Sequence, residues 1–225
     1  MKTKKVLVIA PHADDESLGC GGTILKHIDI GDEVHWLIVT GMSLDSGFSE
    51  EQINIRKDEI AKVGLLYKFK QVHELFLPPA SLDCLPKKNI ISAISSVIQS
   101  VEPELIYTAY RNDAHSDHEV VFDAITASSK TFRYPSIKRI LAYETLSETD
   151  FGLKPEDGGF KPNVFVDISD FLEQKLNILD HFESEMSHFP FPRSRKAISS
   201  LSFVRGVQAG CESAEAFMLL KEIIR

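Results

Sequence analysis

The chain has 225 residues, of which 43% are hydrophobic and 26% are charged, a balance typical of a folded globular protein rather than a disordered chain. The formal net charge of −8 argues against a protein that grips nucleic acid through its phosphates. Three cysteines, Cys20, Cys84 and Cys211, form no C-x-x-C pair, and an odd number cannot close into a disulfide framework. We therefore expect a reducing compartment.

The opening apolar run, Val6–Ala10, follows three lysines and superficially resembles a signal peptide. It is shorter than the hydrophobic region of a signal, which spans about 7 to 15 residues. No stretch of the chain reaches the roughly 18 apolar residues that a membrane span needs. These patterns predict a cytoplasmic protein without a membrane span.

Short apolar runs rich in β-branched residues alternate with longer amphipathic segments. The predicted strands are Val6–Ala10, Val34–Thr40, Glu74–Leu77, Leu105–Ala109, Ile140–Tyr143 and Val164–Ile168. The predicted helices between and after the first four strands are Ser17–Asp29, Glu50–Leu66, Lys88–Val101 and Asp117–Thr131. This alternation indicates βαβ units and a mostly parallel sheet with helices on both faces.

The last third of the chain predicts three more helices, Leu172–Met186, Arg195–Gln208 and Ala214–Ile224. The segment Asp150–Pro162 carries clusters of Gly and Pro and is the longest predicted loop. We expect residues 1–225 to form a single α/β domain, a Rossmann-like sandwich of three layers.

A cluster of polar residues follows the first predicted strand and contains His12, Asp14, Asp15 and Glu16. A nucleotide-binding turn would carry glycines here, and consecutive carboxylates would repel a pyrophosphate. This argues against a dinucleotide-dependent oxidoreductase. Helix N-capping would explain one or two of the acids. It would not explain the histidine, whereas a bound cation would neutralise the crowded carboxylates.

A second cluster follows the fourth predicted strand and contains His115, Asp117 and His118. Alone, it could be a pair of surface histidines near the start of a helix. Parallel sheets, however, bind ligands beyond the carboxyl ends of their strands, where both clusters lie. His12, Asp15 and His118 together would offer two nitrogens and one carboxylate, a catalytic pattern for zinc that also allows Fe²⁺.

At these residues the sequence resembles the LmbE-like, or PIG-L-like, family of zinc-dependent N-deacetylases. Its hallmarks, (P/A)-H-x-D-D-E and later H-x-D-H, occur at residues 11–16 and 115–118. An R-x-x-E pattern begins at Arg56, and a Pro-Arg-Ser sequence surrounds Arg193. The resemblance covers nearly the whole chain. It implies a hydrolase that removes the N-acetyl group from an N-acetylated amino sugar, such as a small N-acetylglucosamine conjugate.

The resemblance also implies how the metal site works. His12, Asp15 and His118 would bind Zn²⁺, and Asp14 would be the general base that activates water at the metal. Homo-oligomers occur among members of the family, and an apolar surface on the C-terminal helices would permit one here.

Other site residues follow from the same resemblance. His115 would stabilise the oxyanion or protonate the leaving amine, held by Asp117. By its position, Glu16 would either contact the site residues from outside the metal site or be only an acid in the first turn of the helix, and we favour the first. Arg56 and Arg193 would bind the substrate, although either could instead be an exposed arginine that pairs with nearby acids.

Two alternatives to the sugar deacetylase stay open at this point. The chain could cleave an amide in a non-sugar acylated metabolite or thiol conjugate. It could also be a non-catalytic metal-binding or sugar-binding protein of the same fold, although such a protein would not need Asp14.

Overall fold

The computed structural model describes residues 3–154, 156 and 158–224. The strands are β1 (Lys5–Ala10), β2 (Glu33–Thr40), β3 (Gln71–Leu77), β4 (Leu105–Ala109), β5 (Arg139–Tyr143), β6 (Val164–Asp167) and β7 (Ala214–Glu222). The α-helices are α1 (Asp15–Asp29), α2 (Glu50–Tyr67), α3 (Lys87–Val101), α4 (Ser116–Ala127), α5 (Leu172–Leu179) and α6 (Arg195–Ala209).

All seven strands join one sheet in the order β3-β2-β1-β4-β5-β7-β6. The strands from β3 to β5 in this order run parallel, and β7 runs antiparallel to both β5 and β6. The chain winds outward from β1 to β3 and then returns to place β4 on the other side of β1. The gap beyond the ends of β1 and β4 is therefore the switch point where open α/β sheets bind ligands.

Each face of the sheet is covered by its own hydrophobic core, as the mostly parallel pattern predicts. Val6, Val8 and Ala10 of β1 contribute to one core, which α1, α2, α5 and α6 cover. Leu7 and Ile9 point the other way, into a core covered by α3 and α4. The predicted three-layer α/β fold is confirmed.

The predicted helix at Ala214–Ile224 is wrong, because this segment forms the strand β7. Its Ala, Glu, Met and Leu residues favour a helix locally, but pairing with two neighbouring strands overrides that preference. The predicted helix Leu172–Met186 is also too long, since α5 ends at Leu179. Within the predicted loop Asp150–Pro162, residues 155 and 157 lie outside the described residues.

Close packing of α1 places its second turn against Tyr143 of β5 and Ile168. A Cβ atom on Gly19 would lie 2.2 Å from Cδ2 of Tyr143, and one on Gly22 would lie 2.8 Å from the Ile168 side chain. Only hydrogen fits at these positions, so the glycines serve helix packing and form no phosphate-binding loop.

Two expectations from composition can be compared with the structure. All three cysteines are free, with Cys20 buried and Cys84 exposed, which agrees with the absence of a disulfide framework. None of the helices in the described part of the chain combines the length and apolar character that crossing a membrane requires.

Candidate active site

The two polar clusters meet because β1 and β4 are neighbours in the sheet. Val6–Ile9 pairs in parallel with Leu105–Thr108, so the segments that follow both strands leave the same edge. The turn after β1 carries His12 and leads into α1 at Asp15. The segment after β4 leads into α4, whose N-cap is His115.

His12, Asp15 and His118 form a group of three possible metal ligands. One donor atom from each lies within 4.8 Å of the others. Oδ2 of Asp15 lies 3.3 Å from Nδ1 of His12 and 3.3 Å from Nε2 of His118. It also accepts a hydrogen bond from the backbone N–H of His12 at 2.9 Å. The carboxylate of Asp15 is thus the centre of the group.

The surroundings of His118 fit a metal ligand. Its Nε2 is buried, lies 3.3 Å from Oδ2 of Asp15, and has no other polar partner within the described part of the chain. Its Nδ1 lies 2.7 Å from Oδ2 of Asp113, the carboxylate contact that usually orients a metal-binding imidazole. Burial opposes the charged ring, but Asp15 and Asp113 raise the pKa of His118 to about 10.

Sequence analysis missed Asp113, although it belongs to the same polar segment as the second motif. The carboxylate is buried and also accepts a hydrogen bond from Oγ1 of Thr149 at 2.6 Å. Its position five residues before His118, at the strand end, is the signal that could have identified it.

A second possible ligand group consists of His12, His115 and Asp117, but Asp117 already has partners. Its Oδ2 accepts a hydrogen bond from the backbone of Ala80 at 2.7 Å and lies 3.1 Å from Nε2 of His12. Its Oδ1 accepts one from Leu82 at 3.1 Å. The expected hydrogen bond between the Asp117 carboxylate and His115 is not formed, since Nδ1 of His115 lies 3.9 Å from Oδ2 of Asp117. Instead, Nδ1 accepts the backbone N–H of Asp117 at 3.1 Å.

Asp14 has an unusual backbone and a buried carboxylate. Its φ angle of 150° is one that non-glycine residues rarely adopt, and its N–H donates to Oε2 of Glu16 at 3.1 Å. Burial and the charge of Asp15 raise the pKa of Asp14 to about 7, although Arg193 opposes the shift. Burial likewise raises the pKa of Glu16 to about 8. The carboxylate of Glu16 thus contacts the backbone of Asp14 and does not line the cavity.

The two predicted arginines reach the site from distant parts of the chain. Arg56 is buried, donates from Nη1 to the carbonyl oxygen of Ala13 at 2.6 Å, and pairs with Glu59 and Glu185. The alternative of an exposed helix arginine is therefore wrong, although its pairing with Glu59 does form. Arg193 donates from Nη1 to Asp14 at 2.8 Å and to Glu185 at 2.6 Å. Sequence analysis did not identify Glu185, which joins the two arginines.

The site opens into a cavity of about 380 Å³. The side chain of His12 is 22% exposed and that of His118 is fully buried, so the possible ligands are accessible from one side. Burial and the charge of His12 lower the pKa of His115 to about 4. The polar part of the lining includes His12, Asp14, Asp15, His115, Glu148 and Arg193, and the apolar part includes Met42, Phe48, Ile53, Ile60, Phe76 and Pro79.

This arrangement has the parts that metal-assisted hydrolysis requires. Two imidazoles and a carboxylate can hold a divalent metal and leave a position open. A carboxylate beside them can move a proton, and a neutral imidazole can donate a hydrogen bond to a developing negative charge.

Curated proteins similar to this chain include deacetylases. Diacetylchitobiose deacetylase of Thermococcus kodakarensis is 29% identical over 238 residues, a match that covers 98% of this chain and 84% of the relative.

Two solved structures resemble the fold over almost all of the chain. N,N'-diacetylchitobiose deacetylase from Pyrococcus horikoshii, complexed with its inhibitor MPG, superposes with a TM-score of 0.78 at 23% identity, covering 98% of this chain and 85% of that one. GalB, the 4-carboxy-2-hydroxymuconate hydratase from Pseudomonas putida, superposes with a TM-score of 0.74 at 17% identity, covering 99% and 98%. At such identities the similarity shows the fold alone. One of the two proteins is a deacetylase and the other is a hydratase, so the fold does not identify the reaction.

The family comparison covers both motifs. The model of the family described as PIG-L, GlcNAc-PI de-N-acetylase, matches residues 7–129, which is more than half of the chain and includes residues 11–16 and 115–118. The chain therefore belongs to the PIG-L family.

Proposed function

We propose that the protein is a metal-dependent deacetylase that removes the N-acetyl group from an N-acetylglucosamine conjugate. The observation that carries the proposal is the convergence of donor atoms from His12, Asp15 and His118 within 4.8 Å of one another, with the buried Nε2 of His118 3.3 Å from Asp15 and without another partner among the described residues. Membership of the PIG-L family and the similarity to diacetylchitobiose deacetylase support the substrate class.

The metal would be held by His12, Asp15 and His118. This donor set suits Zn²⁺, and Fe²⁺ is also compatible with it. When bound, a divalent metal supplies Lewis-acid polarisation of a carbonyl group and lowers the pKa of water. We prefer this set to the one with Asp117, because the Asp117 oxygens already accept two backbone hydrogen bonds.

Asp14 is the residue that we assign as general base. Arg193 and the N–H contact to Glu16 fix its position next to Asp15. A carboxylate whose pKa lies near neutrality can take a proton from the attacking water and return it to the leaving amine. In this assignment Asp14 both accepts and delivers the proton.

His115 is the residue that we assign to the oxyanion. Its Nδ1 accepts the N–H of Asp117, so the hydrogen of the neutral ring is assigned to Nε2. A fixed N–H donor at this place would stabilise the negative charge that develops on the amide oxygen. The contact between Asp117 and His115 thus acts through the backbone and sets the tautomer.

Arg56 and Arg193 both line the cavity, and contact with sugar hydroxyls is part of the proposal for each. Their first role is structural within the site, because each guanidinium pairs with at least two carboxylates. Arg56 pairs with Glu59 and Glu185. Arg193 pairs with Asp14, Glu185 and Glu148.

The test is acetate release by protein stripped with a chelator and then reloaded with Zn²⁺ or Fe²⁺. Substrates are N,N'-diacetylchitobiose, methyl N-acetylglucosaminide and N-acetylcysteine. We expect metal-dependent release from the sugars and none from N-acetylcysteine. Release from N-acetylcysteine alone would favour the non-sugar amidase, and stoichiometric metal binding without release from any substrate would favour the binding protein.

A further inference from the structure

The apolar part of the cavity lies on three segments that do not supply the possible metal ligands. Met42 and Phe48 come from the connection between β2 and α2, Ile53 and Ile60 come from α2, and Phe76 comes from the end of β3. Metal binding and proton transfer do not use these side chains. The proposed chemistry therefore leaves this half of the cavity without a role.

Phe76 is held there by an unusual backbone. Its φ angle is 52°, a value that is an outlier for a bulky residue. Phe76 is also 65% exposed, so burial of the ring does not offset this backbone strain. The pairing of Ile38 with Glu74 and of Thr40 with Leu77 leaves one extra residue on β3. Such bulges re-aim a side chain and are frequent next to active sites.

Gly41 allows the Phe76 ring to take this position. A Cβ atom on Gly41 would lie 2.9 Å from Cδ1 and 3.2 Å from Cα of Phe76. Phe76 is thus strained and exposed, and its ring packs directly against Gly41. Backbone strain of this kind is common at functional sites, which points to a function for the ring. The ring presents an apolar surface to whatever enters the cavity.

The charged groups of the cavity offer little to an anionic substituent. Both guanidiniums already pair with at least two carboxylates each, which leaves Lys57 as the remaining lysine or arginine among the described lining residues. Lys57 lies near Glu74, where burial raises the pKa of the carboxyl group and the charge of Lys57 opposes that shift. Glu148, which lies 3.8 Å from Nη2 of Arg193, is a further carboxylate of the lining.

We infer that Phe76, with Met42 and Phe48, forms an apolar subsite that binds an uncharged alkyl or aryl group joined to the amino sugar. This inference rests on the proposed function and names its substrate class: neutral N-acetylglucosaminides with an apolar aglycone. The sugar acetamide would occupy the polar end of the cavity and the aglycone the end lined by Phe76.

The test compares three glycosides of N-acetylglucosamine with the same anomeric configuration: methyl, n-hexyl and 5-carboxypentyl. The last two have matched chain lengths and differ in the terminal carboxylate. We expect kcat/KM for acetate release to be at least about tenfold higher for hexyl than for methyl, mainly through a lower KM, since five more methylenes can be buried. The carboxypentyl glycoside should lose most of this advantage.

Phe76→Asn is the variant that addresses the subsite, because asparagine tolerates a positive φ and the fold should be kept. We expect the ratio of hexyl to methyl kcat/KM to fall to within about twofold of unity, as the ring no longer covers the chain. Phe132→Asn is the matched control, since Phe132 is 78% exposed and lies after α4. It should keep the wild-type ratio.

Three results would overturn the subsite: equal kcat/KM for hexyl and methyl, equal kcat/KM for hexyl and carboxypentyl, or an unchanged ratio in Phe76→Asn. If no glycoside releases acetate, the proposed function fails separately. Calorimetric binding of the same three glycosides then decides: about tenfold tighter binding of hexyl supports the subsite, and equal dissociation constants overturn it.

Discussion

Arg193 donates a hydrogen bond from Nη1 to Oδ2 of Asp14 at 2.8 Å, across a sequence separation of 179 residues. The same nitrogen lies 2.6 Å from Glu185. The C-terminal part of the chain therefore reaches the first motif and holds its candidate base. Asp14 keeps a strained φ angle of 150°, and strain of this kind persists only where the surroundings enforce it.

Replacing Arg193 should impair turnover and spare the metal. We expect Arg193→Met to lower kcat by about 10- to 100-fold, the usual effect of losing a partner that orients a site residue, while bound zinc stays stoichiometric. Arg195→Met is the matched control, because Arg195 pairs with the exposed Glu173 and Asp180. Wild-type turnover in Arg193→Met would show that the contact with Asp14 is not needed.

Asp113 should govern metal affinity through His118. In Asp113→Asn we expect zinc affinity to fall by about 10- to 100-fold, since the contact at Nδ1 orients the ring and makes it more basic. Competition with a chromophoric chelator measures this. Asp123→Asn, on the same helix as His118 but paired with Lys87 and Arg111, should bind zinc like the wild type. Equal affinities in both variants would contradict the assignment of His118 as a ligand.

Gly19→Ala should destabilise the fold. The added methyl would meet the Tyr143 side chain at 2.2 Å, and overpacking of this kind costs about 1–3 kcal/mol of unfolding free energy. Gly64→Ala is the comparison, because its nearest neighbour is Cγ2 of Val72 at 3.2 Å. Urea denaturation should show a clearly larger loss of unfolding free energy for Gly19→Ala than for Gly64→Ala. Equal denaturation midpoints of the two variants would refute the packing argument.

His27 should make stability depend on pH. Nδ1 of its ring lies 2.7 Å from Asp32 and Nε2 lies 2.9 Å from the hydroxyl of Tyr107. Burial lowers the pKa of His27 below its usual 6.5, although Asp32 opposes the shift. As pH falls below about 6.5, the unfolded chain binds a proton that the folded ring resists, so stability decreases.

One proton contributes at most about 1.4 kcal/mol per pH unit to this slope. His27→Gln removes the titrating ring, and we expect the unfolding free energy of this variant to fall less steeply between about pH 7 and pH 5 than that of the wild type. Denaturant titrations at several pH values measure both slopes. Identical slopes would show that His27 is not responsible.

The parallel part of the fold could be predicted because its strands and helices differ in local pattern. The strands of the first half are short and apolar, and the helices between them are amphipathic. Ala214–Glu222 could not be assigned in this way, because its helix-forming residues become a strand only through pairing with β5 and β6. Glu215 illustrates the tertiary cause, since its buried carboxylate accepts hydrogen bonds from Gly22 and Thr23 of α1.

The site was predictable where its residues belong to motifs that follow the carboxyl ends of predicted parallel strands. The two motifs identified His12, Asp15 and His118 as a group, and the structure brings them together. Individual contacts between distant segments, such as that between Arg193 and Asp14, could not be predicted, because no local pattern encodes them. Phe76 was also missed, because its strained φ angle depends on a bulge against β2 that no local pattern reveals.

The central claim is that Asp14 works as a base beside a metal held by His12, Asp15 and His118. The most direct test measures zinc content and acetate release on the same preparation of Asp14→Asn. The account predicts one zinc per chain, as in the wild type, and release slowed by about 100-fold or more. Release at the wild-type rate from fully loaded Asp14→Asn would contradict it.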